Sequence, residues 1–208
     1  MFLAADAAKY NATLATLTAA YHKAYWQPNT QSYGASQTAN LLPLYLDITP
    51  PELVPAATKA YVSAVAKNKY LTNSGIIGAA YMLQTLGKVG HGDIALKIAL
   101  STTEPSWGHM VLTGPGTIWE SWGDSTNSHN HPALSADIGV YLYTLAGVDP
   151  STWGHGPDRR VRLSLDATTA RTVGAASVHV ASVGGRAAFS WAFLRDDGDA
   201  ASAFEVNA

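Results

Sequence analysis

An aromatic, histidine-rich segment in the middle of the chain carries the side chains best suited to chemistry. Three of the six tryptophans lie between residues 107 and 122, and three of the seven histidines lie in or just after that stretch. Tryptophan faces can stack on the C–H faces of sugar rings, and carboxylates and imidazoles can exchange hydrogen bonds with hydroxyl groups. The combination predicts a saccharide site formed from Trp107, Trp119, Trp122, His109, His129, His131 and Glu120, with Glu104 and Asp124 at its margins.

Glu120 is the strongest catalytic candidate in this segment. Because Trp119 precedes it and Trp122 follows two positions later, we expect a partly desolvated pocket, which would raise the pKa of the carboxyl group. Glycoside hydrolysis uses two carboxyl groups, one as an acid and the other as a base or nucleophile. The spacing is equally compatible with a loop glutamate that caps a nearby helix while the tryptophans pack in the core.

Two histidines separated by one residue, His129 and His131, offer an alternative chemistry. That spacing can present two ligands to zinc, with Glu120 or Asp124 as a third. The competing interpretation is structural, because histidines beside a helix that begins at Pro132 often cap or orient backbone groups. A carboxylate base needs no metal or organic cofactor, so the saccharide-site interpretation implies none.

Composition excludes several other classes of function. Cysteine is absent, so disulfides, thiol nucleophiles and thiolate metal sites are excluded. The net charge of −2 gives no electrostatic indication of nucleic acid or an anionic membrane as a partner. No segment reaches the roughly 20 apolar residues that a membrane span needs. Hydrophobic residues make up 47% of the chain, enough for a sizeable core.

The first two thirds of the chain has the residue pattern of helices. Ala4–Tyr25 is rich in alanine and places Leu14 and Leu17 on one helix face, and Ser36 can cap the next helix. The other predicted helical stretches are the one after Pro51, Ile76–Leu86, His91–Ser101 and Ala133–Leu145. About six helices in three up-down pairs suggest an α/α toroid or part of one, with a bundle or superhelical repeat as the alternative.

Two further segments complete the organisation of the chain. Thr102–Pro132 is interrupted by glycine and proline and is predicted to be a long loop, which is more often functional than accidental. Beyond Pro150 the apolar residues alternate with polar ones, as in half-buried strands. The predicted strands are 161–165, 178–183, 187–194 and 204–206. Four short strands form only part of a sandwich, so residues 150–208 are predicted to be an incomplete β-sandwich domain following a helical domain at 1–149.

Several segments, taken in order, resemble one known family. They are Thr72–Gly78, Gly90–Ala95, Pro105–Gly108, Thr117–Trp122, Asn127–His131 and Leu145–Val148. Together they resemble the end of the catalytic domain of the α-L-rhamnosidases, inverting glycoside hydrolases with an (α/α)₆ toroid. Residues 25–46 fit the same pattern more loosely, and the tail from Val178 resembles the opening of the family's C-terminal β-sandwich. The resemblance implies a mainly α chain that forms the second half of the toroid and the first antiparallel strands of the sandwich.

The resemblance also implies roles for individual residues. Glu120 matches the general base that activates the attacking water, and Trp119 and Trp122 flank it. His131 matches a histidine that lines the rhamnose subsite, and Trp107 would help to shape the same pocket. The implied ligand is a rhamnose-containing glycoside or polysaccharide, and the base itself requires no cofactor.

The chain departs from the family pattern in two places. Residues 132–137 replace an aromatic and glycine-rich continuation, which affects the finer shape of the pocket. The family's general acid lies in the first half of the toroid, upstream of Met1, so the missing N-terminal half of the same protein would have to supply it. Asp6, Asp47 and Glu52 all have the surroundings of helix-end or surface charges. The alternative function is therefore a non-catalytic carbohydrate-binding protein or an inactive fragment, and a third possibility is a helical module without a ligand.

Overall fold

The computed structural model of the chain describes residues 2–123, 127–149, 162–163, 167–182, 185–194 and 203–207. Helices dominate the described residues up to position 146. In order they are α1 (Phe2–Tyr25), α2 (Gln37–Tyr45), α3 (Val54–Lys67), α4 (Ile76–Ala79), α5 (Met82–Lys88), α6 (Gly92–Ala99), α7 (Trp107–Thr113) and α8 (Ala136–Leu145). Short 3-10 turns at Pro51–Leu53 and Pro132–Leu134 lead into α3 and towards α8.

The C-terminal end of helix α1 packs against the segment that links it to α2. There Tyr21 packs against Tyr33 with the ring centroids 5.7 Å apart, and Nδ1 of His22 lies 3.2 Å from the Tyr33 hydroxyl. Further towards the N-terminus, Leu3 is 85% exposed and Leu17 is 61% exposed. The apolar side chains predicted for this helix are therefore present, but most of them face solvent.

The main hydrophobic core lies where α2, α3, α5 and α6 meet. Helix α2 packs on α3 and α5, and α5 also packs on α6 and α8. The buried side chains of this core include Leu41, Tyr61, Val65, Met82, Leu83, Leu86 and Ile98. The predicted cap of α2 is confirmed, because the Ser36 side chain accepts a hydrogen bond from the backbone N–H of Ala39.

The structure corrects three predictions about the helices: one predicted helix is split, one helix was missed, and one begins later than predicted. The stretch Ile76–Leu86 forms two helices, α4 and α5, separated at Ala80–Tyr81. The predicted loop from Thr102 to Pro132 contains α7, whose first turn is capped by the Ser106 hydroxyl accepting from the N–H of His109. The last helix begins at Ala136, after the 3-10 turn that starts at Pro132.

Antiparallel strands follow the helices, as predicted. Strand β1 (Val148–Asp149) pairs with β2 (Arg162–Leu163), and the sheet order β3-β4-β5 joins Ala175–Ser182, Gly185–Leu194 and Ala203–Asn207. Helix α9 (Ala167–Val173), which was not predicted, packs against α6 and β4. Parts of the predicted strands 161–165 and 178–183 lie outside the described residues. The predicted domain boundary at residues 149 and 150 stays a prediction.

The architecture is thus mainly α with antiparallel strands after the helices. Among the residues described, no helix combines the length and the apolar character needed to cross a membrane.

Candidate active site

The candidate base lies on a segment whose two sides are tied together by backbone hydrogen bonds. The N–H of Glu120 donates to the carbonyl of Ser128 at 2.9 Å, and the N–H of His131 donates to the carbonyl of Ile118 at 2.9 Å. The hydroxyl of Thr117 also donates to the carbonyl of His129. These bonds hold residues 117–120 antiparallel to residues 128–131, so Glu120 occupies a fixed place opposite Ser128.

The side chain of Glu120 is exposed, and one carboxylate oxygen is held by the backbone. Oε2 accepts a hydrogen bond from the N–H of Ser128 at 3.3 Å. The expectation that the flanking tryptophans would partly desolvate this carboxylate is wrong, because the residue is exposed in the described structure. Successive side chains of an extended segment point to opposite sides, so Trp119 is directed inward and Glu120 outward.

Trp119 is a buried side chain with 2% of its surface exposed. The His129 imidazole stacks on its ring with the centroids 4.1 Å apart and the planes at 9°, and His109 approaches it edge-on at 5.9 Å. Gly114 leaves the space that the indole occupies, because a Cβ atom there would come within 2.6 Å of Trp119 Cζ2. Trp119 therefore packs in the interior and stabilises the position of residues 117–120.

The other two tryptophans are anchored through their indole N–H groups by distant carbonyls. Nε1 of Trp107 donates to the carbonyl of Leu134 at 2.7 Å, and Nε1 of Trp122 donates to the carbonyl of Ser74 at 2.7 Å. The two rings meet edge to face with their centroids 5.1 Å apart. Trp107 is buried, whereas Trp122 is partly exposed, so Trp122 has ring surface available to a ligand.

His131 has a structural task that also fixes its tautomer. Its Nδ1 atom accepts a hydrogen bond from the N–H of Ala133 at 3.0 Å, which caps the 3-10 turn Pro132–Leu134. An accepting Nδ1 carries no proton, so the neutral ring carries its proton on Nε2. Because the side chain is partly exposed, that Nε2–H is a donor suited to a sugar hydroxyl.

The zinc alternative has limited geometric support. No group of three His, Asp or Glu side chains that could hold a metal ion occurs among the described residues. Asp124, one of the two proposed third ligands, lies outside them. Glu104, at the margin of the predicted site, lies near a different histidine: its Oε2 is 3.8 Å from Nε2 of His109. Glu104 also lies close to Gly123, where a Cβ atom would be 3.2 Å from its Oε1.

A buried carboxylate that was not singled out from the sequence lies behind this region. Asp137 in the first turn of α8 is fully buried, and its oxygens accept from the N–H of Leu83 and from the N–H and side-chain amide of Gln84. Burial raises the pKa of Asp137 to about 6, although the hydrogen bonds from Leu83 and Gln84 lower it. Asp137 thereby caps the start of α5 from a different helix, a contact that no local sequence pattern reveals.

Comparison with known proteins places this geometry in a family. The family model described as the bacterial alpha-L-rhamnosidase 6 hairpin glycosidase domain matches residues 2–146. The chain therefore belongs to this family of six-hairpin glycosidase domains. An alpha-L-rhamnosidase of Streptomyces avermitilis is 29% identical to it over 164 residues, which cover 74% of this chain and 16% of that protein.

Solved structures give the same result at the level of the fold. The alpha-L-rhamnosidase from Aspergillus terreus superposes with a TM-score of 0.79 at 25% identity, covering 91% of this chain and 23% of the other. The enzyme from Dictyoglumus thermophilum superposes with a TM-score of 0.75 at 26% identity, covering 88% and 21%. The chain thus spans less than a quarter of the length of each of these relatives.

Proposed function

We propose that this chain contributes the base side of a glycoside hydrolase that cleaves terminal α-L-rhamnosyl linkages with inversion of configuration. Glu120 is the general base. It accepts a proton from a water molecule as the water oxygen attacks the anomeric carbon, while the bond from that carbon to the leaving-group oxygen breaks. A general acid on the opposite side protonates the leaving oxygen.

One observation carries the proposal: an exposed carboxylate is held in place within a family domain whose named relatives are rhamnosidases. Ser128 holds Glu120 through both its carbonyl and its N–H, so the free carboxylate oxygen can face the water. The exposed position of Glu120 leaves its carboxylate accessible to a water molecule, as the role of a general base requires.

The neighbouring side chains provide complementary sugar contacts. The partly exposed ring of Trp122 offers a stacking surface, and the Nε2–H of His131 offers a hydrogen-bond donor. Trp107 and Trp119 are buried, so they shape the pocket from beneath by supporting Trp122 and the paired segment. These substrate-binding roles rest on the family resemblance together with the exposure and anchoring of each ring.

The general acid belongs to the part of the toroid that lies outside this chain. An inverting mechanism needs about 6.5–9.5 Å between the two carboxyl groups, so that water fits between the base and the anomeric carbon. We therefore expect the isolated chain of 208 residues to bind rhamnose without hydrolysing a rhamnoside. The N-terminal half of the same protein is the proposed partner that restores turnover.

Calorimetric titration with L-rhamnose, together with an assay on a chromogenic α-L-rhamnoside, tests this function. Binding without hydrolysis by the isolated chain, and hydrolysis by a longer protein containing it, is the expected result. Turnover by the isolated chain would contradict the proposed location of the acid. Neither binding nor turnover by either form would favour a helical module without a sugar ligand.

A further inference from the structure

Gln37, the first residue of α2, is a fully buried amide whose two ends bind backbone groups far along the chain. Its Nε2 donates to the carbonyl of Leu71 at 2.9 Å, and its Oε1 accepts from the N–H of Asn73 at 3.1 Å. The side chain therefore pairs with residues 71–73 as a neighbouring strand would. Because the Gln37 side chain is fully buried, its amide depends on these two backbone partners. The Leu71 carbonyl also accepts from Nδ2 of Asn68 at 2.9 Å, so the bond to the Asn73 N–H is the one that Gln37 makes alone.

The segment that Gln37 holds leads directly to the carbonyl that anchors Trp122. The Thr72 hydroxyl accepts from the N–H of Ser74 at 3.2 Å, and the Ser74 carbonyl accepts from Trp122 Nε1 at 2.7 Å. Gly78 confines the same residue from the side, since a Cβ atom there would lie 2.6 Å from Ser74 Cβ. Residues 71–74 thus connect the start of α2 to Trp122, the partly exposed tryptophan of the candidate site.

We propose that Gln37 is a positioning residue for the sugar pocket, acting through residues 71–74 to fix the plane of the Trp122 indole. The claim that Gln37 fixes the Trp122 ring rests on the hydrogen bonds alone. The claim that this affects sugar binding also rests on the proposed function. A stacking ring contributes most to affinity when its orientation is set before the ligand binds, because binding then does not have to order the side chain.

The alternative is that Gln37 only stabilises the helical core, and the chain offers a matched control for this. Asn40 lies on the same helix, is 1% exposed, and also binds backbone groups through its amide. It accepts from the N–H of Tyr33 at 3.0 Å and donates to the carbonyl of Gly34 at 2.7 Å. Neither of those partners belongs to residues 71–74, and nor does Ser36, to whose carbonyl Asn40 also donates at 2.9 Å. Losing these bonds should therefore destabilise α2 without altering the anchor of Trp122.

The test compares Gln37→Met with Asn40→Leu in the full chain, using the indole N–H signals in ¹⁵N-labelled protein. Trp122→Phe and Trp107→Phe assign the two relevant signals. In Gln37→Met we expect the Trp122 N–H signal to shift and its hydrogen exchange to accelerate about tenfold, since one anchoring interaction of ordinary strength is weakened. The Trp107 signal, anchored at Leu134, should stay in place, and Asn40→Leu should move neither.

Titration with L-rhamnose provides the functional arm, with an expected loss of about tenfold in affinity for Gln37→Met and less than twofold for Asn40→Leu. An unchanged Trp122 signal in Gln37→Met would overturn the positioning role even if the unaltered chain binds rhamnose normally. Equal shifts of both tryptophan signals would overturn it too, because they would indicate general loosening. If the unaltered chain does not bind rhamnose, the proposed sugar-binding role is rejected. The positioning role would still stand in that case if Gln37→Met shifts the Trp122 N–H signal as expected.

Discussion

The carboxylate of Asp137 accepts a hydrogen bond from the backbone N–H of Leu83, which lies 54 residues earlier in the chain. This contact joins the first turn of α8 to the first turn of α5, so it ties the helix that follows the candidate site to the centre of the core. It also puts an ionisable group where water is excluded, which makes the stability of the fold dependent on pH.

We predict that lowering the pH from 7 to 4 stabilises the fold through Asp137. Its pKa is raised to about 6 in the folded chain from 3.8, so the folded state holds the proton more tightly than the unfolded state between those values. The free energy of unfolding should therefore gain up to about 3 kcal/mol from this group as the pH falls. That contribution is lost as the pH rises through 6. Urea unfolding at a series of pH values measures it.

Two variants isolate this contribution from the other carboxylates. Asp137→Asn should remove the stabilisation on acidification, since the amide does not titrate. Asp93→Asn is the matched control, because Asp93 also lies in the first turn of a helix but is exposed. An identical pH dependence in Asp137→Asn and the unaltered chain would rule out Asp137 as the source.

The close packing of Gly114 against Trp119 leads to a prediction about stability. Gly114→Ala would place a Cβ atom 2.8 Å from Trp119 Nε1 as well as against the ring carbon, so the indole must shift and unfolding should become easier by about 1–3 kcal/mol. Gly87→Ala in α5 meets nothing within 4 Å and should be neutral or stabilising by up to about 1 kcal/mol. Thermal unfolding of both variants decides the matter, and equal melting temperatures would refute the steric argument.

For a protein that contains the whole toroid, Glu120→Gln is predicted to lower kcat by about 10²–10⁴-fold, the range typical of a lost general base. Rhamnose affinity should change little, because glutamine keeps the size of the side chain and an oxygen for the Ser128 N–H. Glu104→Gln is the control, being a carboxylate near the same segment with no assigned catalytic role. Near-normal kcat in Glu120→Gln would exclude Glu120 from the mechanism.

Substitutions of His131 should distinguish its two roles, which are capping the turn at Pro132 and donating a hydrogen bond to rhamnose. Asparagine is a good capping residue, so His131→Asn should retain the stability of the turn at Pro132 while weakening rhamnose binding through loss of the Nε2–H donor. His131→Ala should lose both, with a stability cost of about 1 kcal/mol. Urea unfolding and calorimetric titration measure the two effects. Unaltered rhamnose affinity in His131→Asn would leave the residue with a capping role alone.

Local patterns in the sequence were sufficient for the elements whose causes are local. The Ser36 cap, the helix ending at Tyr25 and the paired strands of the C-terminal sheet were predicted because capping, helical periodicity and alternation involve residues a few positions apart. Helix α7 was missed because the surrounding glycines and prolines dominate that stretch. The capping serine at position 106, three residues before His109, was the signal that could have revealed it.

The parts of the site that were not predicted depend on contacts across long sequence separations. The Trp122 anchor at Ser74 spans 48 residues and the Asp137 contact spans 54. Contacts this far apart in sequence produce no local residue pattern from which they could be predicted. The exposure of Glu120 had a different origin. Its neighbours in sequence are aromatic, but the extended backbone directs the adjacent tryptophan to the opposite side.

The backbone pairing of residues 117–120 with 128–131 has a consequence for how this region can diversify. The two bonds that hold this segment join the backbone of Glu120 to Ser128 and that of His131 to Ile118, so they do not depend on which side chains those positions carry. Exchanges of the exposed residues Ser128 and Asn130 would therefore change the side chains presented near Glu120 while the backbone that holds Glu120 stays the same. A library randomised at these two positions is expected to vary ligand preference without moving the carboxylate, so recognition could change independently of the group proposed to act as the base.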